Sequence, residues 1–280
     1  MISDKDIIQH YDECSTEYDL VWSGEDDLAI HYGFWDSGAK SHSDSLINMN
    51  TVLANKLKIK SGDVVLDAGC GIGGSSIWLS KNFGVKVIGI TLSQKQVETA
   101  NKFAKRHSVD HLVKFYNRDF LDTKFEDESF DIIWGIESVC HAENKKEFIS
   151  EAWRILKKDG KLIVADGFIT RESFTKDEQK LINKWCNGWA VPNLARVDEF
   201  EGYLRELGFR NIEFSDVTQN VMKSSLRIYR LGISGISIWK FLELLRLKTK
   251  NQVNYLIAGI NQYKALKRNL WVYGIFYAEK

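Results

Sequence analysis

Two side chains with acid–base chemistry, Glu137 and His141, stand four residues apart in the stretch Ile136-Glu137-Ser138-Val139-Cys140-His141-Ala142-Glu143. On a single helical turn they would share a face, and a base or a stabiliser of positive charge can be drawn from such a pair. A lone histidine is more often a local hydrogen-bonding residue; the acid beside it brings the two readings level. A second constellation lies upstream. Asp67 closes the apolar run Val64-Val65-Leu66, and four glycines (Gly69, Gly71, Gly73, Gly74) then fall within six residues. Such a loop can take dihedrals closed to other residues and bring bare backbone against a ligand. Asp119-Phe120 follows a further apolar run. There an acid can accept from an adenine amino group while the aromatic packs on the ring.

These residues need elements that gather strand ends in one place. Val64 to Leu66 is too short and too β-branched for a helix and fits a buried strand, and Ser75 to Lys81 carries apolar residues at helical spacing. Strands are expected again at Lys86 to Ile90, Leu112 to Tyr116, Phe130 to Gly135 and Lys161 to Asp166, with helices between them. Asn211 to Val217 and Leu270 to Ala278 add two more. The reading is an α/β chain with a doubly wound, seven-stranded, mostly parallel sheet, whose ligands sit at the carboxyl ends of the strands. Gly69, Gly71 and Gly74 match the dinucleotide pattern G-x-G-x-x-G. That fold wants an acid about 20 residues on for a ribose hydroxyl, whereas here the second strand runs into Thr91-Leu92-Ser93 with no carboxylate.

Three parts are expected. Residues 1–60 form a helical N-terminal lid, 61–170 the ligand-binding core, and 171–280 the rest of the core with helical insertions at 171–195 and 219–268. Residues 4 to 22 read as an amphipathic helix with Tyr11 and Tyr18 among its apolar positions. The aromatic stretch Ala29 to Asp36 reads as a packed cap or as a lid whose rings enclose a cation. Ser93 and Gln96 have capping-box spacing, as do Asn144 and Glu147. Leu231 to Leu247 is apolar on more than one face; burial is the first expectation for it, ahead of a dimer contact or a greasy ligand.

Lys plus Arg equals Asp plus Glu at 38 each, which removes the electrostatic argument for a nucleic-acid substrate. The four cysteines form no C-x-x-C pair, so neither a metal site nor a disulfide framework is expected. With a polar, acidic N-terminus and no apolar run of eighteen residues, a cytoplasmic protein is expected.

Val65-Leu66-Asp67-Ala68-Gly69-Cys70-Gly71-Ile72-Gly73-Gly74 resembles the donor loop, D-x-G-x-G-x-G, of class I S-adenosylmethionine methyltransferases acting on small molecules. Gly89-Ile90-Thr91-Leu92-Ser93-x-x-Gln96 is similar to the tocopherol methyltransferases and the cyclopropane-fatty-acid and mycolic-acid enzymes, and Ile136 to Ala142 looks most like the sterol C-methyltransferase stretch I-E-A-T-C-H-A. Tyr11-Asp12 and His31 to Trp35 resemble the tocopherol-type N-terminal segment. The resemblance covers roughly residues 8 to 215. It implies a Rossmann-like methyltransferase fold and S-adenosylmethionine as methyl donor. Asp67, Gly69 and Gly71 would cradle the methionine part, and Thr91 and Gln96 the ribose. Asp119 and Phe120 would hold the adenine, while Tyr11 and His31 would close the lid.

The function expected is methyl transfer to a small, lipophilic acceptor (isoprenoid, sterol or quinol-like) at carbon or oxygen, with Glu137 and His141 as catalytic residues and no metal. An N-methyltransferase of a small amine is the alternative. An NAD-dependent oxidoreductase and a non-catalytic donor-binding protein are readings of other classes. Peripheral contact with a membrane or lipid is left open, as is the choice between monomer and homodimer.

Overall fold

The structure is a computed structural model that describes residues 2–14 and 29–280. Its centre is one seven-stranded sheet in the order β3-β2-β1-β4-β5-β7-β6. The strands are β1 (Val64–Ala68), β2 (Lys86–Thr91), β3 (Val113–Asn117), β4 (Phe130–Ile136), β5 (Leu156–Ile169), β6 (Arg210–Asp216) and β7 (Trp271–Glu279). All pairings are parallel except those of β7, which runs antiparallel to both β5 and β6. The doubly wound, mostly parallel α/β fold read from the sequence is therefore the observed one.

Alternation along the strands assigns side chains to two cores. On β4, Ile132 and Trp134 face one and Ile133 the other; on β5, Ile163 and Ala165 oppose Leu162 and Val164. The first core is covered by α2 (His42–Leu57), α3 (Gly74–Phe83) and α4 (Gln94–Arg106), together with α6 (Lys176–Gly188), α8 (Thr218–Leu244) and α9 (Lys250–Leu266). The second is covered by α5 (Lys145–Ile155) and α7 (Val197–Glu206). Because both faces are covered, the strands must be apolar on both sides, which is why their runs were readable. Strand order reverses between β1 and β4, and a crevice forms at such a reversal beyond the strand ends.

Several local expectations are corrected. The N-terminal helix, α1, is described over Asp4–Glu13; Tyr18 and the rest of the expected 4–22 helix lie outside the described residues. Ser93 caps α4 by accepting from the Gln96 N–H, but the Gln96 side chain does not reach back; its Oε1 accepts from Thr91 Oγ1 at 2.6 Å. Asn144 caps α5 through the Lys146 N–H, while the Glu147 carboxylate bonds the Asn144 side chain instead of the cap backbone. The strand expected at Lys161 to Asp166 is longer, Leu156–Ile169, and residues 157–160 enter it as an irregularity, with Asp159 at φ 60° and the register shifting between Phe130 and Ile132.

The apolar Leu231–Leu247 segment is not buried as expected. Its inner side packs, but Ile238 is 62% exposed, Leu244 78% and Leu247 67%. The physical reason is that α8 is covered on one side only: its fully buried residues end at Gly232, Ile236 and Trp239 beyond it are partly buried against the core, and the opposite side has no neighbour among the described residues.

Gly274 in β7 allows the ring of Phe214 to lie flat on the sheet; a Cβ there would stand 2.2 Å from Phe214 Cε2. Gly274→Ala should lower stability by about 1–3 kcal/mol through overpacking. Urea unfolding is the measurement, and an unchanged midpoint would mean that the ring yields freely.

Candidate active site

The loop after β1 and the turn after β4 are locked together. Ser138 Oγ donates to the Ala68 carbonyl at 2.5 Å, and a Cβ on Gly69 (φ 90°) would stand 2.3 Å from that of Ser138. Only glycine permits this approach. At Gly71 (φ 52°) the added atom would meet nothing nearer than Ile30 Cδ1 at 3.9 Å, so a side chain there would project into open space. That space is a cleft of about 870 Å³, open to solvent. Its wall includes Tyr11, His31, Asp67, Gly69, Gly71, Thr91, Gln96, Phe120, Glu137 and His141. Asp119 is the one candidate not brought onto the wall. Its carboxylate turns back to accept the Leu121 N–H at 2.8 Å, while Arg118 and Phe120 on either side do face the cleft.

Asp67 is buried at the end of β1 and accepts from Ser76 Oγ of α3 at 2.6 Å. Burial pushes its carboxyl up to about 6. At the second strand end, the Ser93 N–H reaches Thr91 Oγ1 at 3.3 Å, and Ser93 Oγ donates to Asp12 of α1 at 2.6 Å. This last bond, with Lys95 Nζ on the Asp12 carbonyl at 2.9 Å, latches α1 across the cleft. Ile7, Ile8 and Tyr11 of α1 thereby become part of the wall.

The two wall histidines are neutral by construction. His31 Nδ1 lies 2.9 Å from the Tyr32 carbonyl, which can only accept, so Nδ1 carries the proton and Nε2 presents a lone pair. Nε2 is buried and has no partner among the described residues. His141 Nδ1 likewise donates to the Ala190 carbonyl at 3.0 Å, and its Nε2 accepts from the Tyr11 hydroxyl at 2.9 Å. Burial holds both rings down at about 4.

Glu137 is not helical: it has φ 49°, and only Val139–His141 form a short 3₁₀ turn. The expected shared helical face with His141 is replaced by a sharp bend that still sends both side chains to the same wall. Glu137 Oε1 accepts from the Tyr32 N–H at 2.6 Å and from the Tyr273 hydroxyl at 2.8 Å. Desolvation nevertheless holds its carboxyl well above the usual range.

Behind Glu137 lies a second, more aromatic pocket lined by Tyr32, Trp185, Trp189, Tyr255, Trp271 and Tyr273, with Asp166 at its edge. Tyr11, Ile30, Glu137 and His141 line both spaces. Sequence reasoning missed Tyr32, Tyr273, Asp166 and Lys145 here. Asp166 carried a readable signal, since it closes the apolar run of β5 much as Asp67 closes that of β1. It accepts the N–H groups of Cys140 and Gly167, each at 2.8 Å, and burial pushes it up to about 6. Lys145 gave no signal beyond its place in a helix cap. Its buried ammonium meets the carbonyls of Cys140 at 3.0 Å, Ala142 at 2.5 Å and Asn193 at 2.8 Å, and it tethers the 3₁₀ turn to the 190–195 loop.

A methyltransferase-domain family model matches residues 66–164, which run from β1 into β5. The 27-O-demethylrifamycin SV methyltransferase of Amycolatopsis mediterranei is 31% identical over 75% of this chain and 75% of its own. The chain belongs to the class I S-adenosylmethionine-dependent methyltransferases. The chloroplastic tocopherol O-methyltransferase of Arabidopsis thaliana is 29% identical over 99% of this chain and 82% of its own length. The structure of the cyclopropane synthase MmaA2 from Mycobacterium tuberculosis superposes with a TM-score of 0.85 at 16% identity, covering 99% of this chain and 98% of that one, and shows the shared fold.

The methyltransferase's own residues fit its donor. The orphaned His31 Nε2 can accept from an ammonium group, the open position over Gly71 admits a ligand against backbone, and a sulfonium is favoured by nearby carboxyls and aromatic faces. Because Lys145 satisfies buried carbonyls, Lys145→Met should cost about 1–3 kcal/mol. Urea unfolding reads this, and a neutral result would remove the tether as a structural element.

Proposed function

We propose that this methyltransferase acts on a small, lipophilic acceptor, an isoprenoid, sterol or quinol-like molecule, at carbon or oxygen. The observation that carries the reading is the shared wall: Glu137 and His141 stand where the donor cleft meets a pocket of indole and phenol rings. On the donor side, Asp67, Gly69 and Gly71 would hold the methionine part, with His31 Nε2 on its ammonium. Thr91 and Gln96 would hold the ribose and Phe120 the adenine. Asp119, turned to Leu121, would support the Phe120 loop and reach the adenine only by turning. Tyr11 and His31 belong to the segment that closes over the cleft. The bound donor supplies an electrophilic methyl on a sulfonium, so the chain mainly aligns an acceptor and keeps water out.

For an alkene acceptor, the Glu137 carboxylate would face the cation formed on methyl addition and help remove the final proton. Burial raises its carboxyl well above the usual range, and a positive charge alongside it favours the anion. For a phenol or alcohol, His141 Nε2 would exchange the Tyr11 hydroxyl for that of the acceptor. The acceptor proton would pass to Nε2 as the oxygen attacks, and the imidazolium would release it afterwards. A small amine is the second reading. Glu137, Asp166 and the faces of Trp185, Trp189 and Trp271 make surroundings in which an ammonium group is stable.

Methyl transfer from labelled donor into a cell extract, followed by solvent partition, tests the acceptor class. Label in the apolar fraction supports the lipophilic reading; label confined to the aqueous fraction supports the amine. Asp67→Ala should weaken donor binding at least about tenfold through lost charge complementarity, and calorimetric titration giving wild-type affinity would remove the donor assignment. Glu137→Gln should keep donor affinity while lowering kcat by about a hundredfold or more.

Charge linkage gives a further test. Burial lifts the Asp67 carboxyl in the folded chain to about 6, above the ordinary aspartate value of 3.8. Between those values the folded chain keeps a proton that the unfolded chain has lost, so stability without donor gains from this group as pH falls from about 7 to 4. Donor binding needs the anion. Affinity for S-adenosylmethionine and for its demethylated product, which share the methionine part assigned to Asp67, should therefore fall together as pH drops from about 7.5 to 5.5, read by titrating both ligands at each pH.

A further inference from the structure

The exposed large hydrophobic residues of the chain are concentrated in one place. Among the described residues there are seven, and Ile233, Ile238, Phe241, Leu244, Leu245 and Leu247 all fall on the second half of α8 and the turn after it. At about 100° per residue, the five of them from Ile233 to Leu245 span an arc of roughly 140°. The buried positions Val221, Ser224, Ser225, Ile228 and Gly232 lie on the opposite side of the same helix. This is an apolar stripe turned outward. Monomeric proteins rarely leave such a stripe uncovered.

Its flanks carry charge of one sign. Residues 231–250 contain Lys240, Arg246, Lys248 and Lys250 against the single acid Glu243, in a chain whose cations and anions balance at 38 each overall. Lys240, Arg246 and Lys250 are exposed. An outward stripe of Ile, Phe and Leu with a basic rim matches the chemistry of a helix lying in a lipid interface, where apolar side chains enter the acyl region and cations meet phosphate groups. A second copy of the chain is a poorer occupant: a two-fold contact through this stripe would set the same basic rims against each other.

We propose that the outer face of α8 from Ile233 to Leu247 docks this protein on the surface of an anionic lipid bilayer. The placement suits the site without depending on which acceptor is methylated. α8 packs on α9, where Ile228 touches Gly259 and Gly232 touches Ile260, and α9 contributes Tyr255 to the aromatic pocket. The docked face and the acceptor wall thus belong to one helical hairpin. No helix among the described residues is long and apolar enough to cross a membrane, so the contact is peripheral.

The test is co-sedimentation of the full chain with vesicles of phosphatidylcholine, with and without phosphatidylglycerol. Pelleting that requires the anionic lipid and weakens in high salt is expected. Phe241→Ser with Leu244→Ser should reduce it about tenfold or more by removing apolar insertion, and Lys240→Gln and Arg246→Gln about fivefold each. All four positions are exposed, and circular dichroism should show the fold intact. The proposal is overturned by absence of binding to either vesicle, by equal binding of the Phe241/Leu244 variant, or by a concentration-dependent dimer in ultracentrifugation that the same variant dissolves. The last outcome would assign the face to a second copy. Methyl transfer to a soluble acceptor, measured without vesicles, should be unchanged in these variants, which separates failure of docking from failure of the catalytic reading.

Discussion

One oxygen of Glu137 receives hydrogen bonds from the Tyr32 backbone and the Tyr273 hydroxyl, 105 and 136 residues away along the chain. The rest of the cleft depends on that junction. It fixes the N-terminal aromatic segment to the end of β4 and to β7, an antiparallel strand across β5 from it. The bend that makes it possible is the left-handed backbone of Glu137 itself, an uncommon conformation for a residue with a side chain. Such a conformation persists only when its surroundings over-determine it. Here they do: Ser138 bonds the Ala68 carbonyl, the Glu137 N–H donates to the Ala165 carbonyl at 2.8 Å, and Lys145 gathers the carbonyls of the following turn.

Burial then sets the charge state of everything around the junction. The imidazoles of His31 and His141 are held neutral, and the carboxyls of Asp67, Glu137 and Asp166 are raised, all with desolvation as the largest cause. A site of lone pairs and reluctant acids, faced by indole rings, is unfavourable for an anion and improves on receiving a cation. The methyl donor of this family brings one, and a methylated acceptor passing through a cationic stage would bring another.

The helices added beyond the sheet face two ways. Trp185 and Trp189 at the end of α6 and Tyr255 on α9 turn inward to the aromatic pocket, while the far half of α8 turns greasy side chains outward. Composition could not separate these two uses of the same residue types, because an apolar helix is equally suited to a core and to a lipid interface. Only the tertiary packing decides which side is covered. In α8 the side toward α9 and the core is covered, with Gly232 its last fully buried residue.

What the sequence determined by itself was whatever is encoded locally. The apolar runs located the central strands, since a sheet covered on both faces demands them. Asp67 followed by Gly69 and Gly71 marked the loop, because its backbone angles and open approach admit few other residues. Ten of the eleven candidate site residues lie on one wall for the same reason: strand ends are local features, and the fold gathers them. What tertiary structure alone decided was direction and partnership. Asp119 turned to its own loop, Gln96 turned from its cap to Thr91, and Lys145 turned inward. Tyr32, Tyr273 and Asp166 joined the site from segments whose spacing carries no trace of the others. A hydrogen bond between residues more than a hundred positions apart leaves no local pattern to read, because its geometry exists only once the strands between them have been ordered.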